Sequence, residues 1–231
     1  MFFHLRPQRA LLGDVNPALI ATYQQVRDNV ESVISHLERL AREHSSETYY
    51  RVRDIYNSAK NLAAAHRAAL FIYLNKTCFN GLHRVNRKGH FNVPVGRYTR
   101  PGISNPAGLR AASRELGRAE LGCQSFENLL RTARPGDFIY LDPPYQPLSP
   151  SSNFTSYARD GFSDKDQRLL RDVFSELDRR GCKLMLSNSD MPVIRDLYGR
   201  FRIDRVAALR AINCDARNRG RISELVVRNY R

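Results

Sequence analysis

The stretch Phe138-Ile139-Tyr140-Leu141-Asp142-Pro143-Pro144-Tyr145 sets an acid, two prolines and a tyrosine at the end of an apolar run. Proline has no amide donor and cannot continue a central ladder, so the strand predicted from Phe138 to Leu141 stops at Asp142. The prolines also fix φ. The Asp142 carboxylate and the Pro143 carbonyl then project from a rigid turn as two acceptors. Two fixed acceptors match one exocyclic amino group with its two N–H donors. Tyr145 adds a flat face on which a base can stack. The set fits an aromatic amine, with adenine N6 and cytosine N4 as the candidates. A strand-ending turn with an ordinary surface tyrosine is the competing reading.

The elements around this turn must position it. Ala10 to Leu12 read as a short buried strand ending at Gly13-Asp14. Pro17 follows at the first turn of a helix, where its missing N–H costs nothing. The apolar spacing predicts that helix over 18–41 and a second helical stretch over 47–74. Helical patterning returns over 106–116. Strands are expected around Leu121–Ser125 and Phe138–Leu141, with a helix over 126–133 between them. A polar loop over 149–161 precedes a helix whose start pairs Ser163 with Asp166, in the manner of a capping box. A further strand over 182–190 ends in Ser187-Asn188-Ser189-Asp190, and a helix over 192–198 stops at Gly199. A terminal strand pair, 201–209 and 224–230, is joined by the basic loop 210–222.

Strands alternating with helices predict an α/β fold with a mostly parallel sheet. Ligands bind beyond the carboxyl ends of such strands. Three strand ends are polar, at Asp14, at Asp142 to Tyr145 and at Ser187 to Asp190, and are expected to gather on one edge. An acid placed like Asp14 can bind a ribose diol or cap the helix at Pro17. Ser187 to Ser189 can line the pocket or cap the next helix.

The 231 residues suffice for one domain with an insertion or two small lobes, and 42% hydrophobic content makes the chain globular. Thirty-seven Lys and Arg against 23 acids give +14, which points to a polyanion, with nucleic acid ahead of membrane. The four cysteines are scattered, with no C-x-x-C pair to suggest zinc. A reduced, cytoplasmic setting fits them, and Cys182 reads as a core thiol. No run is long enough to span a membrane, and the start of the chain does not read as a signal peptide. Between Lys76 and Arg100 the chain holds Lys76, Arg84, Arg87, Lys88, Arg97 and Arg100 and no acid, interleaved with Phe79, Phe91 and Tyr98. Such a loop-and-hairpin region can neutralise phosphates, wedge an aromatic between bases and read base edges.

The motif Asp142-Pro143-Pro144-Tyr145 resembles the catalytic motif of S-adenosylmethionine-dependent DNA adenine-N6 methyltransferases. From Phe2 to Tyr230 the chain resembles the Dam-type, D12-class enzymes that methylate GATC. The segments CFNGLHRVNRKGHFNVPVGRY, DPPYQPLSPSSNFTSYARDGFSDKDQ and RNRGRISELVVRNY carry that likeness. It implies a Rossmann-like methyltransferase sheet over 1–45 and 107–231, and a helical and hairpin target-recognition insertion over 46–106. It implies that Asp142 and the Pro143 carbonyl accept from N6, which attacks the sulfonium methyl in line with no covalent intermediate. Pro144 completes the motif, and Tyr145 stacks on an adenine flipped out of duplex DNA. Asp14 becomes the cofactor ribose acid. Ser125 and Phe126 edge the cofactor adenine, and Asp142 borders the same pocket. Phe79 takes the place of an intercalating aromatic that is usually tyrosine. Asn80, Leu82, Arg84, Asn86, Asn92, Pro94 and Tyr98 fall on recognition positions, with Arg84 a guanine reader. A cognate restriction endonuclease is a candidate partner, and a monomer is expected.

The family's Gly-rich cofactor turn and its strand have no counterpart before Asp14, where Gly13 is the only glycine. Met1 to Leu5 resemble the end of the helix that follows that turn. The expectation is therefore a sheet without its first strand, by natural truncation or by a start codon upstream of Met1. Two competing functions stay open at this point. One is a DNA-binding remnant without cofactor affinity. The other is a methyltransferase acting on cytosine N4, RNA or a protein amide.

Overall fold

The computed structural model describes residues 1–146, 162–209 and 221–231. The polar loop expected over 149–161, and nearly all of the basic loop after Leu209, lie outside them. The described chain divides into two compact units, Met1–Ser125 and Phe126–Arg231.

The first unit is mostly helical. A short helix α1 (Phe2–Leu5) precedes strand β1 (Ala10–Asp14), which pairs in parallel with β2 (Ala119–Cys123). The single helix expected over 18–41 is two, α2 (Pro17–Asp28) and α3 (Val30–Arg42). Asn29 separates them, with φ −137° and ψ 38°, outside the helical basin. Asparagine bonds locally and so competes with helix continuation, and here the Asn29 amide donates to Gln25 Oε1 at 3.0 Å. The stretch over 47–74 is likewise two helices, α4 (Ser46–Ser58) and α5 (Ala64–Thr77). The Arg67 guanidinium folds back onto the Tyr56 and Ala59 carbonyls and satisfies the C-terminus of α4. Helix α6 (Pro106–Leu116) lies where the sequence places it, capped by the Asn105 side chain. Val33, Leu37, Tyr49, Ala69, Leu70, Tyr73 and Leu74 form the centre of one apolar core, with Leu12 of β1 and Leu121 of β2 packed against it.

Four histidines of this unit, His36, His44, His66 and His83, titrate below 6.5, each chiefly because burial disfavours the charged ring. His36 and His66 stack at 4.5 Å with Arg39 beside them, so their charges would also repel. A histidine whose pKa is depressed in the fold binds its proton more readily when unfolded. Stability is then full above pH 6.5 and falls as the pH drops through and below that value. The thermal midpoint should accordingly fall between pH 7.5 and 5.5, and His36→Asn should flatten that slope. Scanning calorimetry across this range checks both.

The second unit is a four-stranded sheet in the order β3–β4–β6–β5. Its strands are β3 (Phe138–Leu141), β4 (Lys183–Ser189), β5 (Arg202–Leu209) and β6 (Arg221–Arg228). β3 and β4 are parallel, whereas β6 is antiparallel to both β4 and β5. The expectation of one mostly parallel sheet therefore gives way to two sheets among the described strands, with mixed pairing in the second. The short connection from Leu209 to Arg221 explains the reversal, because a parallel return needs a long crossover. Helices α7 (Leu129–Thr132), α8 (Asp164–Arg179) and α9 (Pro192–Tyr198) accompany this sheet. Ile139, Leu141, Leu184, Leu186, Leu225 and Val227 form a core with Leu170, Phe174, Leu177 and Tyr198 of the helices. Cys182 is buried there, as its apolar surroundings predict. The expected capping box is present, with Ser163 Oγ accepting from Asp166 N and Asp166 accepting from Ser163 N. Among the described residues no helix is long and apolar enough to cross a membrane.

Candidate functional site

Side chains alternate between the two faces of a strand. Ile139 and Leu141 face the helices, so Phe138, Tyr140 and then Asp142 take the opposite face. Parallel register sets Tyr140 beside Met185, which brings Ser187 level with Asp142 at the adjoining strand end. Ser187 Oγ donates to Asp142 Oδ1 at 2.6 Å, and Tyr140 Oη lies 2.9 Å from the same Ser187 oxygen. On β6, Glu224 lies opposite Ser189, and its Oε2 accepts from Tyr145 Oη at 3.4 Å. Burial pushes the Tyr145 phenol up to about 12, with the nearby Ser187 hydroxyl opposing and the Asp142 and Glu224 charges adding. Tyr145 is neutral at physiological pH and keeps 36% of its surface exposed, so its ring remains open to a stacking partner.

The turn after Asp142 is fastened from below. Asn188 is fully buried, and its Oδ1 accepts from Gln146 N at 3.1 Å and Ser189 N at 2.9 Å. Its amide donates to Gln167 Oε1 at 3.3 Å, and Gln167 Nε2 donates to the Pro144 carbonyl at 3.3 Å. Ser189 Oγ donates to the Gln146 carbonyl at 2.8 Å. Buried polar groups must be paired, and here three of the bonds hold backbone groups of the turn, at the Pro144 carbonyl and at Gln146 N and O. Ser187 to Ser189 therefore brace the turn rather than cap α9, whose N-cap is Met191. Asp190, at the end of the same strand, is drawn below the usual carboxylate range against its own burial by Arg195, Ser223 and Arg205. Gln167 was not anticipated from sequence. The signal was its place in the apolar stripe Gln167, Leu170, Phe174, Leu177, where a glutamine must find buried partners.

In the first unit, Asp14 ends β1 beside Cys123, and Gln124 N donates to its carbonyl at 3.0 Å. Asp14 Oδ1 accepts from Asn16 N at 2.7 Å, while Asn16 itself caps α2 through bonds from Ala18 N and Leu19 N. Helix capping thus falls to Asn16 and leaves Asp14 as an oriented, half-buried acid at a strand end. Ser125 closes this unit at the same end of the β1–β2 pair. Phe126 opens the second unit, where its ring meets Phe162 edge-on at 6.1 Å.

The basic region forms a hairpin, bridged at Cys78–Val95 and Val85–Phe91. Its tip turns at Asn86, whose side chain accepts from Lys88 N and His90 N at 2.9 and 3.1 Å. Asn86 therefore builds the turn that carries Arg87 and Lys88. Phe79 is exposed on a tight 3-10 turn, with its N–H held by the Pro94 carbonyl at 2.8 Å. Asn80 takes φ 55° and Gly81 φ 63°, a left-handed pair that turns the chain sharply behind Phe79. Burial raises the Cys78 thiol to about 11, and it donates to the Leu82 carbonyl at 3.1 Å. Leu82 packs on the core, Tyr98 is exposed, and Arg84 is gripped by Asn92. The Arg84 Nε–H donates to Asn92 Oδ1 at 2.8 Å and Nη2 to the Asn92 carbonyl at 3.4 Å.

The anchor of the hairpin also went unread in the sequence. Tyr49, Arg53 and Asn57 recur every four residues on one face of α4. Tyr49 Oη and the Arg53 guanidinium donate to the Val93 carbonyl at 2.8 and 3.4 Å. Asn57 donates to the Phe91 carbonyl at 3.0 Å and accepts from its N–H at 2.9 Å, as a neighbouring strand would. Asn57→Ala should leave both buried groups of Phe91 unpaired, a cost of about 1–3 kcal/mol each. Amides of residues 84–93 should then exchange faster while α5 keeps its protection, which hydrogen-exchange mass spectrometry measures.

The sequence matches the description "D12 class N6 adenine-specific DNA methyltransferase" over residues 1–212. It is 42% identical to the Type II methyltransferase M1.LlaDCHI of Lactococcus lactis subsp. cremoris, over 100% of this chain and 82% of that protein. It is 42% identical to the Type II methyltransferase M.MjaIII of Methanocaldococcus jannaschii, over 96% of this chain and 81% of that protein. To the DNA adenine methylase of Escherichia coli K12 it is 31% identical, over 98% of this chain and 81% of that protein.

Proposed function

Starting from the fact that this chain belongs to the D12 class of N6 adenine-specific DNA methyltransferases, we propose that it moves a methyl group from S-adenosylmethionine to adenine N6 in duplex DNA. The proposed target is GATC, and the adenine leaves the helix before transfer. The observation that carries this reading is the end of β3. There Asp142 is oriented by Ser187, the turn behind it is pinned at Pro144 and Gln146, and the exposed Tyr145 ring stands beside it.

The division of labour we propose is a target-recognition part over 46–106 and a catalytic part over 1–45 and 107–231. Asp14 fits the ribose of the cofactor, because an oriented, half-buried carboxylate is the acceptor that a diol requires. Ser125 and Phe126 would edge the cofactor adenine. When bound, S-adenosylmethionine supplies an electrophilic methyl group on a sulfonium. Asp142 and the Pro143 carbonyl would each accept one N6–H, which would keep the nitrogen lone pair out of the ring and available to the methyl carbon as its bond to sulfur breaks; the surplus N6 proton would then pass to solvent. Pro143 and Pro144 hold the two acceptors still, and Tyr145 stacks on the base. Phe79 would wedge into the vacated stack, and the basic tip at Arg87 and Lys88 would meet phosphates.

The test is direct. The purified chain, S-adenosylmethionine and a duplex carrying GATC are incubated, then challenged with a nuclease that cuts only unmethylated GATC. Protection is expected. Cleavage unchanged by the protein, together with no heat of S-adenosylmethionine binding in calorimetry, would reject the reading. Methylation of adenine outside GATC would reject the target alone.

A further inference from the structure

Resting on that reading, we propose that Ser187 is the positioning residue that decides which oxygen of Asp142 meets the substrate amine, with Tyr140 behind it in a one-way hydrogen-bond chain. The chain is forced by proton count. A serine hydroxyl has one proton, and an ionised carboxylate only accepts. The contact from Ser187 Oγ to Asp142 Oδ1 is 2.6 Å, so the serine proton is spent there. The 2.9 Å contact between Ser187 Oγ and Tyr140 Oη must then run from the tyrosine to the serine. Burial raises the Tyr140 phenol, with the hydrogen bond to Ser187 opposing, so it keeps its proton and stays a donor.

The chain has two consequences. Oδ1 already accepts one hydrogen bond and the carboxylate's direction is fixed, so Oδ2, with both of its lone-pair sites open, is the oxygen offered to the N6 amine. Ser187 is 7% exposed and sits on β4 two residues before Ser189, within the segment that braces the turn, so it cannot drift with the substrate. A lone aspartate at a strand end rotates about χ1 and χ2, and each misplaced rotamer removes an acceptor from the amine. Ser187 holds the carboxylate in one rotamer before substrate arrives, which is preorganisation of the acceptor rather than contact with substrate.

The test compares Ser187→Ala and Tyr140→Phe with the unaltered chain in steady-state methyl transfer. In parallel, the Asp142 13Cγ resonance is recorded, identified by its loss in Asp142→Asn. A hydrogen bond to a charged group corresponds to about a 10- to 100-fold effect. Ser187→Ala should lower kcat by about that factor, with KM for DNA within about threefold and the Asp142 resonance displaced. Tyr140→Phe should shift both readouts in the same direction by less. A kcat for Ser187→Ala within twofold of the unaltered chain overturns the proposal, as does an unmoved Asp142 resonance. A fall in kcat accompanied by a lowered thermal midpoint, with no change at the Asp142 carbon, would assign Ser187 a purely structural part and likewise overturn it. If the unaltered chain transfers no methyl, the methyltransferase reading fails separately. The resonance then decides alone, with displacement in both variants supporting the chain and none refuting it.

Discussion

Asp142→Ala should lower methyl transfer to adenine by about a thousandfold or more, while duplex DNA binding stays within about threefold. The magnitude follows from what is removed. Preorganised groups aimed at charge that develops in the transition state contribute about a hundred- to a thousandfold each. Asp142 is such a group, and its loss also leaves Ser187 and Tyr140 aimed at nothing. The turn itself should survive, because its fastenings at Pro144 and Gln146 come from Gln167, Asn188 and Ser189. The thermal midpoint should therefore barely move. Single-turnover transfer of a radiolabelled methyl group gives the rate, and fluorescence anisotropy with a labelled duplex gives the affinity. Transfer at an undiminished rate would remove Asp142 from the mechanism.

Arg84→Ala should weaken discrimination at one base pair of the target by about 10- to 100-fold, the equivalent of about 1–3 kcal/mol for a bidentate contact. Its half-buried guanidinium is already tethered through Nε and Nη2 to Asn92, so its orientation is set before DNA arrives. Asn92→Ala should therefore reproduce part of the Arg84 loss at the same base pair, which assigns Asn92 to supporting the reader. Lys88→Ala, at the hairpin tip, should instead weaken all duplexes evenly and reduce the salt dependence of binding. A panel of duplexes, each with one base pair of GATC changed, separates these outcomes. Equal loss against every duplex in Arg84→Ala would make it a phosphate contact.

The strand-ending turn at Asp142 to Tyr145 was legible because its signals are local. Proline at 143 and 144 ends a strand wherever it stands, and the acid before it must sit at the strand end. The capping box at Ser163 and the stop at Gly199 are equally local. The anchors were not legible, because they are long-range. Nothing near Asn57 announces that it will pair with Phe91, 34 residues away. Gln167 and Asn188 meet the turn only because α8 and β4 bring them there. The helix breaks at Asn29 and after Ser58 were masked by apolar spacing that continues across them. The mixed pairing of the second sheet depends on the return of β6, which periodicity cannot report.

The ladder of Tyr49, Arg53 and Asn57 grips only the main chain of the hairpin, at Phe91 and Val93. Attachment and reading are thereby uncoupled. The side chains of Arg84 and Asn92 take no part in that attachment, whereas Asn86 shapes the turn at the tip. On the proposed reading, such a mount would let the recognised word change through a handful of substitutions while the scaffold stays as it is. It also marks the graft points for anyone wishing to install a new one.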